Sequence, residues 1–149
     1  MKSKMLTPDL SVMPQVSETD IAELSRRGFK SIISNRPDGE AADQPAWAAI
    51  AAAADSHGME AQHIPVVASQ IGDDDVAAFA AALRDLPTPI AAFCRTGTRA
   101  ALLWALANED LQSADERIRI AASQGFDLEP FRARIEQLST STPFAGEGD

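Results

Sequence analysis

Residues 89–100 read PIAAFCRTGTRA. From Pro89 to Phe93 the run is apolar without a break, the pattern of a strand covered on both faces of a sheet. Pro87 and Pro89 separate it from what precedes. From Thr98 to Asn108 the chain is rich in alanine and leucine, which predicts a helix with Trp104 inside it. CRTGTR therefore links a strand to a helix, and it begins with Cys94, the only cysteine of the chain.

Strand-then-helix alternation continues on either side. Leu10–Met13 predicts a short first strand. Ser17 as N-cap, Asp20 in the first turn and Gly28 as the stop predict a helix with Ile21, Leu24 and Ala22 on its buried stripe. Residues 29–34, FKSIIS, form a β-branched strand that runs into the polar turn NRPDGE at 35–40. An alanine-rich helix is expected over 44–57 and a third strand over 60–67. Asp73, Asp74 and Asp75 open a helix to Leu86, with Val76, Phe79 and Leu83 at three- and four-residue spacing. Ser113 and Glu116 read as a capping box for a helix ending at Gly125, and Asp127 as the cap of a last one over 128–138. The pattern predicts an α/β fold with a mostly parallel central sheet flanked by helices, and with C-terminal helices. One domain is expected over residues 1–149, without internal repeats, and with 139–149 as a flexible tail.

The 149 residues are 45% apolar, enough for a core, and carry a formal net charge of −9. That charge disfavours nucleic acid and anionic membrane as partners, yet permits a small anionic substrate at a locally positive loop. MKSKMLTPDL lacks the apolar stretch of a signal peptide, and residues 44–54 are too few to span a bilayer. A lone cysteine forms no internal disulfide, which fits a reducing cytoplasm. His57 and His63 lie far from Cys94 in sequence, so no metal and no cofactor are expected. Nothing in the sequence bears on oligomeric state.

In open α/β sheets, ligands bind beyond the carboxyl ends of the strands, where Cys94 falls. A short loop entering a helix aims several backbone N–H groups into one concavity at the positive end of the helix dipole. Gly97 permits a backbone conformation barred to residues with a Cβ. Arg99 offers a planar fork of donors to a tetrahedral oxyanion. The same field favours Cys94 as thiolate, the nucleophilic form. Thiolate and oxyanion cradle together suit attack on phosphorus or sulfur. A lone cysteine at a strand end is by itself more often a small buried hydrophobe. Here strand, glycine, arginine and helix start coincide, and Arg95, Thr96, Gly97, Thr98 and Arg99 read as an anion site.

CxxGxR after an apolar strand resembles the active-site loop found, in variants, in cysteine-dependent phosphatases and rhodanese sulfurtransferases. The ordered set SETDIAELSRRGFKSIISNRPDGE, HIPV and PIAAFCRTGTRA followed by LLWAL spans roughly residues 12–107. It resembles the bacterial family of phosphatase-like domains of β-lactamase hydrolase-like proteins. The resemblance implies a fold similar to dual-specificity phosphatases. It also implies Cys94 as nucleophile, forming a phosphocysteine that water hydrolyses, Arg99 as oxyanion clamp, and the backbone of Arg95 to Thr98 as cradle.

Three departures keep alternatives open. The loop has four residues between Cys94 and Arg99, one fewer than the standard tyrosine-phosphatase loop and the common rhodanese count. Ala100 stands where phosphatases usually carry Ser or Thr, and Phe93 where they carry His. The general acid that phosphatases take from the loop after the strand matching HIPVV would come here from Asp73, Asp74 or Asp75, which also read as helix-capping residues; Asp73 is the candidate. A cysteine-dependent phosphatase, a rhodanese-type sulfurtransferase using a Cys94 persulfide, and a non-catalytic oxyanion-binding module all fit. Arg36 either adds positive charge at the site's mouth or pairs with Glu40 across the turn. His63 reads as a partly buried strand residue, Trp47 and Trp104 as core, and Asp115, Glu116, Arg117 and Arg119 as a solvated helix face.

Overall fold

The structure, a computed structural model, describes residues 2–141. Strands β1 (Lys4–Thr7), β2 (Leu10–Met13), β3 (Ser31–Ser34), β4 (Glu60–His63) and β5 (Ile90–Phe93) form one sheet in the order β1-β2-β5-β3-β4. β1 is antiparallel to β2, and all other pairings are parallel. The helices are α1 (Glu18–Arg26), α2 (Trp47–Ser56), α3 (Asp73–Asp85), α4 (Thr98–Ala107), α5 (Ala114–Ser123) and α6 (Arg132–Ser141).

Alternation along the strands sorts the core into two layers. Met13, Ile32, Ala91 and Phe93 face Ile21, Leu24, Ile50 and Ala54 of α1 and α2. Val12, Ile33, Ile90 and Ala92 face the other way, toward Phe79 and Ala82 of α3, Leu102 to Leu106 of α4, and Ile118 and Ile135 of α5 and α6. A sheet covered on both faces is what the unbroken apolar run of β5 requires. β5 lies between β2 and β3, whose chains leave toward α1 and α2, while its own chain leaves toward α4 on the opposite face. Adjacent connections departing in opposite directions open a crevice at the carboxyl end of β5.

Several boundaries differ from the sequence reading, each for a physical reason. β1 was not anticipated: it is a short edge strand with two of its four residues exposed, and it carries no apolar alternation. β4 stops at His63 because Pro65 has no N–H to donate, although Ile64 still bonds Ser34 at 2.8 Å. α2 starts at Trp47, whose N–H donates to Asp38 Oδ1 at 2.8 Å; Pro45 disfavours helical backbone at Gln44. At Ser113 only half of the capping box forms, since Glu116 turns its carboxylate to Arg119. The segment from 128 opens as a 3-10 turn, Glu129–Phe131, before α6. α6 takes up residues 139–141, and 142–149 lie outside the described residues. Trp104 is core, whereas Trp47 is only half-buried and stacks on the His63 ring at 5.1 Å between centroids. No helix among the described residues is long and apolar enough to cross a membrane.

The largest correction is Arg117, which is fully buried rather than on a solvated face. Ala114, Arg117, Ile118 and Ala121 form the buried stripe of α5. Arg117 Nε donates to the carbonyls of Gln112 at 3.1 Å and Ser113 at 3.2 Å, and Nη1 to the carbonyl of Ala105 in the last turn of α4. The side chain thus satisfies the carbonyl end of α4 and ties it to α5. Arg117→Ala removes the donors from these carbonyls and is expected to cost about 3 kcal/mol, read as a lower urea midpoint. Arg117→Lys should recover only part, since a single ammonium cannot reproduce the guanidinium fork.

Candidate active site

Three parallel strands end at one level. Met13 of β2 and Ser34 of β3 both pair with Phe93 of β5. The Asn35 N–H donates to the Phe93 carbonyl at 2.7 Å, the Cys94 N–H to the Met13 carbonyl at 3.4 Å, and the Gln15 N–H to the Arg95 carbonyl at 3.3 Å. Gln15, Arg36 and Cys94 are therefore carried past the sheet edge side by side.

Cys94 is fully buried at the start of the loop. The Gly97 N–H donates to its Sγ at 3.1 Å. Gly97 has φ +98° and caps α4. A Cβ there would lie 3.0 Å from Phe126 Cε1 and 3.3 Å from the Met13 carbonyl carbon. Glycine is thus required twice, by backbone conformation and by space. The N–H groups of Thr96 and Arg99 donate to no protein acceptor among the described residues, while the Thr98 N–H makes a long 3.4 Å contact with Thr96 Oγ1. A cleft of about 310 Å³ opens over the loop. Arg95, Thr96, Thr98 and Arg99 form its polar wall, and Ala68, Leu102 and Phe131 its apolar one.

Arg99 is held by a residue that sequence reasoning did not place in the site. Its Nη1 donates to Glu40 Oε2 at 2.8 Å and to the Val66 carbonyl at 2.9 Å, and its Nη2 to Glu40 Oε1 at 2.9 Å. Glu40 takes the end of the guanidinium, leaving the side edge of Nε and Nη2 to offer two parallel donors to an oxyanion. Arg36 is buried and does pair with Glu40, Nε to Oε1 at 2.9 Å, while its Nη1 donates to Gln15 Oε1 at 3.0 Å. Hydrogen bonds from Arg99, and secondarily from Arg36, hold the Glu40 carboxyl down to about 2 against the opposing effect of burial. Conversely, Glu40 first and the nearby Cys94 second keep the Arg99 guanidinium above its usual range, against burial. The signal for Glu40 was its place in the same turn as Arg36; what could not be read was that this turn reaches Arg99, 59 residues away.

The three aspartates stand apart from the cleft lining. Asp73 is 91% exposed and lies 3.5 Å from Arg134 of α6. Asp75 turns back to accept the Gly72 N–H at 2.9 Å. His63 Nε2 contacts the Arg36 carbonyl at 2.9 Å. No group of three or more His, Cys, Asp or Glu is placed to hold a metal ion among the described residues.

Comparison with known proteins gives the family and the fold. The model of the β-lactamase hydrolase-like protein, phosphatase-like domain, matches residues 2–111. A β-lactamase hydrolase-like protein of Agrobacterium fabrum is 35% identical over 146 residues, which cover 96% of this chain and 34% of that protein. The chain spans about a third of the length of the curated relatives it matches. The crystal structure of a candidate phosphatase from Neisseria meningitidis is 36% identical with a TM-score of 0.84, covering 93% of this chain and 99% of that one. TpbA of P. aeruginosa, solved as a Cys-to-Ser form in complex with phosphotyrosine, shares the fold at 15% identity and a TM-score of 0.66, over 95% of this chain and 90% of that one.

Two outcomes follow from the loop and its brace. Gly97→Ala should lower stability by about 1–2 kcal/mol from the left-handed backbone alone, and by more if Phe126 cannot shift, read as a lower melting temperature. Because Glu40 titrates at about 2 when folded instead of 4.5, its ion pairs contribute fully above pH 4.5 and fade as pH falls toward 2. The stability difference between wild type and Glu40→Gln should accordingly be flat above that window and shrink through it. Urea titrations at stepped pH measure both limbs.

Proposed function

The chain belongs to the family of phosphatase-like domains of β-lactamase hydrolase-like proteins, and from that premise we propose that it is a cysteine-dependent phosphatase acting on small phosphomonoesters. The observation that carries this reading is the buried Cys94 sulfur, with the Gly97 N–H on it and the braced Arg99 beside it, at the carboxyl end of the central strand. Cys94, as thiolate, attacks phosphorus; the S–P bond forms, the P–O bond to the leaving group breaks, and that oxygen departs with the electron pair. Water then attacks the phosphocysteine, the P–S bond breaks, inorganic phosphate leaves, and the proton of the water passes to solvent. The free edge of Arg99 and the N–H groups of Thr96 and Arg99 hold the equatorial oxygens through both steps. The TpbA complex shows a phosphate ester bound by a protein of this fold, which supports the anionic substrate class.

A rhodanese-type sulfurtransferase is the second reading. It is favoured by the four residues between Cys94 and Arg99. In that chemistry Sγ attacks the sulfane sulfur of a donor such as thiosulfate, the S–S bond breaks and sulfite leaves. The outer sulfur of the Cys94 persulfide then passes to a thiol or cyanide. No proton has to be delivered to the leaving group.

A side-by-side assay separates these readings: an aryl phosphate in one arm, thiosulfate with cyanide in the other, and Cys94→Ser as control in both. Phosphate release that Cys94→Ser abolishes is the expected result. Sulfur transfer alone, with a mass gain of one sulfur on the protein, would replace the phosphatase reading. Silence in both arms would leave an oxyanion-binding module. Cys94→Ser should still bind inorganic phosphate, whereas Arg99→Ala should weaken binding by about tenfold, since a charge-assisted bidentate contact is lost.

A further inference from the structure

Of Arg36, Arg95 and Arg99, two are already engaged. Arg99 gives the end of its guanidinium to Glu40 and the Val66 carbonyl, and its side chain is only 14% exposed. Arg36 is buried and divided between Glu40 and Gln15. Arg95 is different. Its backbone is pinned, the carbonyl accepting the Gln15 N–H at 3.3 Å, but its side chain is exposed and makes no hydrogen bond or ion pair with any described residue. It nevertheless lines the same cleft as Arg99, on the polar wall that also carries Thr96 and Thr98.

The two cations of that wall differ in exposure and in what they have left to bind. A phosphoryl group on the free edge of Arg99 and the N–H groups of Thr96 and Arg99 has its equatorial oxygens satisfied, and Arg95 is left over. With Glu40 between them, Arg36 and Arg99 leave one positive charge for that group; Arg95 adds a second, closer to solvent. The hydroxyls of Thr96 and Thr98, 3.1 Å apart, supply further polar partners in the stretch between the two arginines. The sign of the whole chain makes the second charge informative. At a formal net charge of −9, each negative charge added to a ligand is opposed by the protein's field unless a local cation meets it. An unengaged guanidinium offers a planar fork of donors that matches a carboxylate or a phosphoryl group.

We infer that the substrate is a small molecule with two anionic groups: the phosphoryl ester, taken by Arg99 and the loop N–H groups, and a carboxylate or second phosphoryl group close by, taken by Arg95 as a specificity-determining residue. The first group rests on the phosphatase reading, and the second goes beyond it. Arg95 and Arg99 share one cleft of about 310 Å³, so both anions belong to one compact molecule.

The test titrates non-hydrolysable phosphonates into the full chain by calorimetry. Methylphosphonate carries one anionic group, phosphonoacetate adds a carboxylate, and methylenediphosphonate adds a second phosphonate. At least one of the two larger ligands should bind wild type about three- to tenfold more tightly than methylphosphonate, and which one does so identifies the second anion. Arg95→Gln should remove that gain and leave methylphosphonate within about twofold of its wild-type affinity. Arg95→Lys should keep part of the gain, since it retains the charge but not the fork. Both variants should melt with wild type, because the Arg95 side chain holds no other residue in place. Equal affinity for all three ligands in wild type would overturn the inference, as would a gain that persists in Arg95→Gln. So would equal weakening of all three ligands in Arg95→Gln, since Arg95 would then serve the phosphoryl group itself. In each of those cases methylphosphonate still binds, and the phosphatase reading stands on Cys94-dependent turnover. Binding of none of the three would instead end the anion site, and the phosphatase reading with it.

Discussion

Two hydrogen bonds at the end of β5, from Asn35 to the Phe93 carbonyl and from Cys94 to the Met13 carbonyl, complete the sheet where the Cys94 loop begins. They fix the central strand between two neighbours whose chains depart to the opposite face. Once that register is set, the next residue has nowhere to go but into the crevice. Cys94 is then buried by sheet geometry rather than by its own hydrophobicity, and Gly97 must turn left-handed to bring α4 back over the sheet. The sulfur, the loop and the helix start share one origin.

Charge is organised by a different constraint. An arginine placed to grip an oxyanion is mobile unless something holds its other end, and the order of its donors matters. Glu40 holds the end of Arg99 while Arg36 and Gln15 hold Glu40 and its turn. Both cations and the carboxylate between them sum to one positive charge at the cleft, on a chain whose formal net charge is −9. The local sign of the site thus opposes the global one, and the fixed geometry removes part of the entropy that ordering a free arginine would cost.

What the sequence disclosed and what it withheld divide along contact range. Local patterns were legible: the apolar run of β5, the Ser17 cap of α1, the stripe of α3 and the loop from Cys94 to Arg99 all follow from neighbours a few residues apart. Long-range partners were not. Glu40 read as half of a local pair with Arg36, and its bond to Arg99 exists only because β3 and β5 are adjacent in the sheet. Arg117 read as solvated because charge usually is, although its spacing with Ala114, Ile118 and Ala121 already put it on the buried stripe of α5. β1 gave no signal, as a half-exposed edge strand needs no alternation to pair. Burial of a charged residue and pairing of a polar edge are both decided by partners that a local window does not contain.

The segment from 112 onward lies beyond the residues matched by the family model, yet it meets the loop between β5 and α4 from two sides. Phe126 packs beneath Gly97, so close that a single added methyl would meet its ring. Phe131 stands on the cleft wall, and Arg134 fixes the entrance to α3. Arg117 then joins this segment to the end of α4, the helix whose first turn lines the cleft. Phe126 thus lies against the loop from behind, and Phe131 stands on the cleft wall above it. Two chains with the same CxxGxR loop and different C-terminal helices would therefore share the loop and differ in the wall of the cleft that faces it.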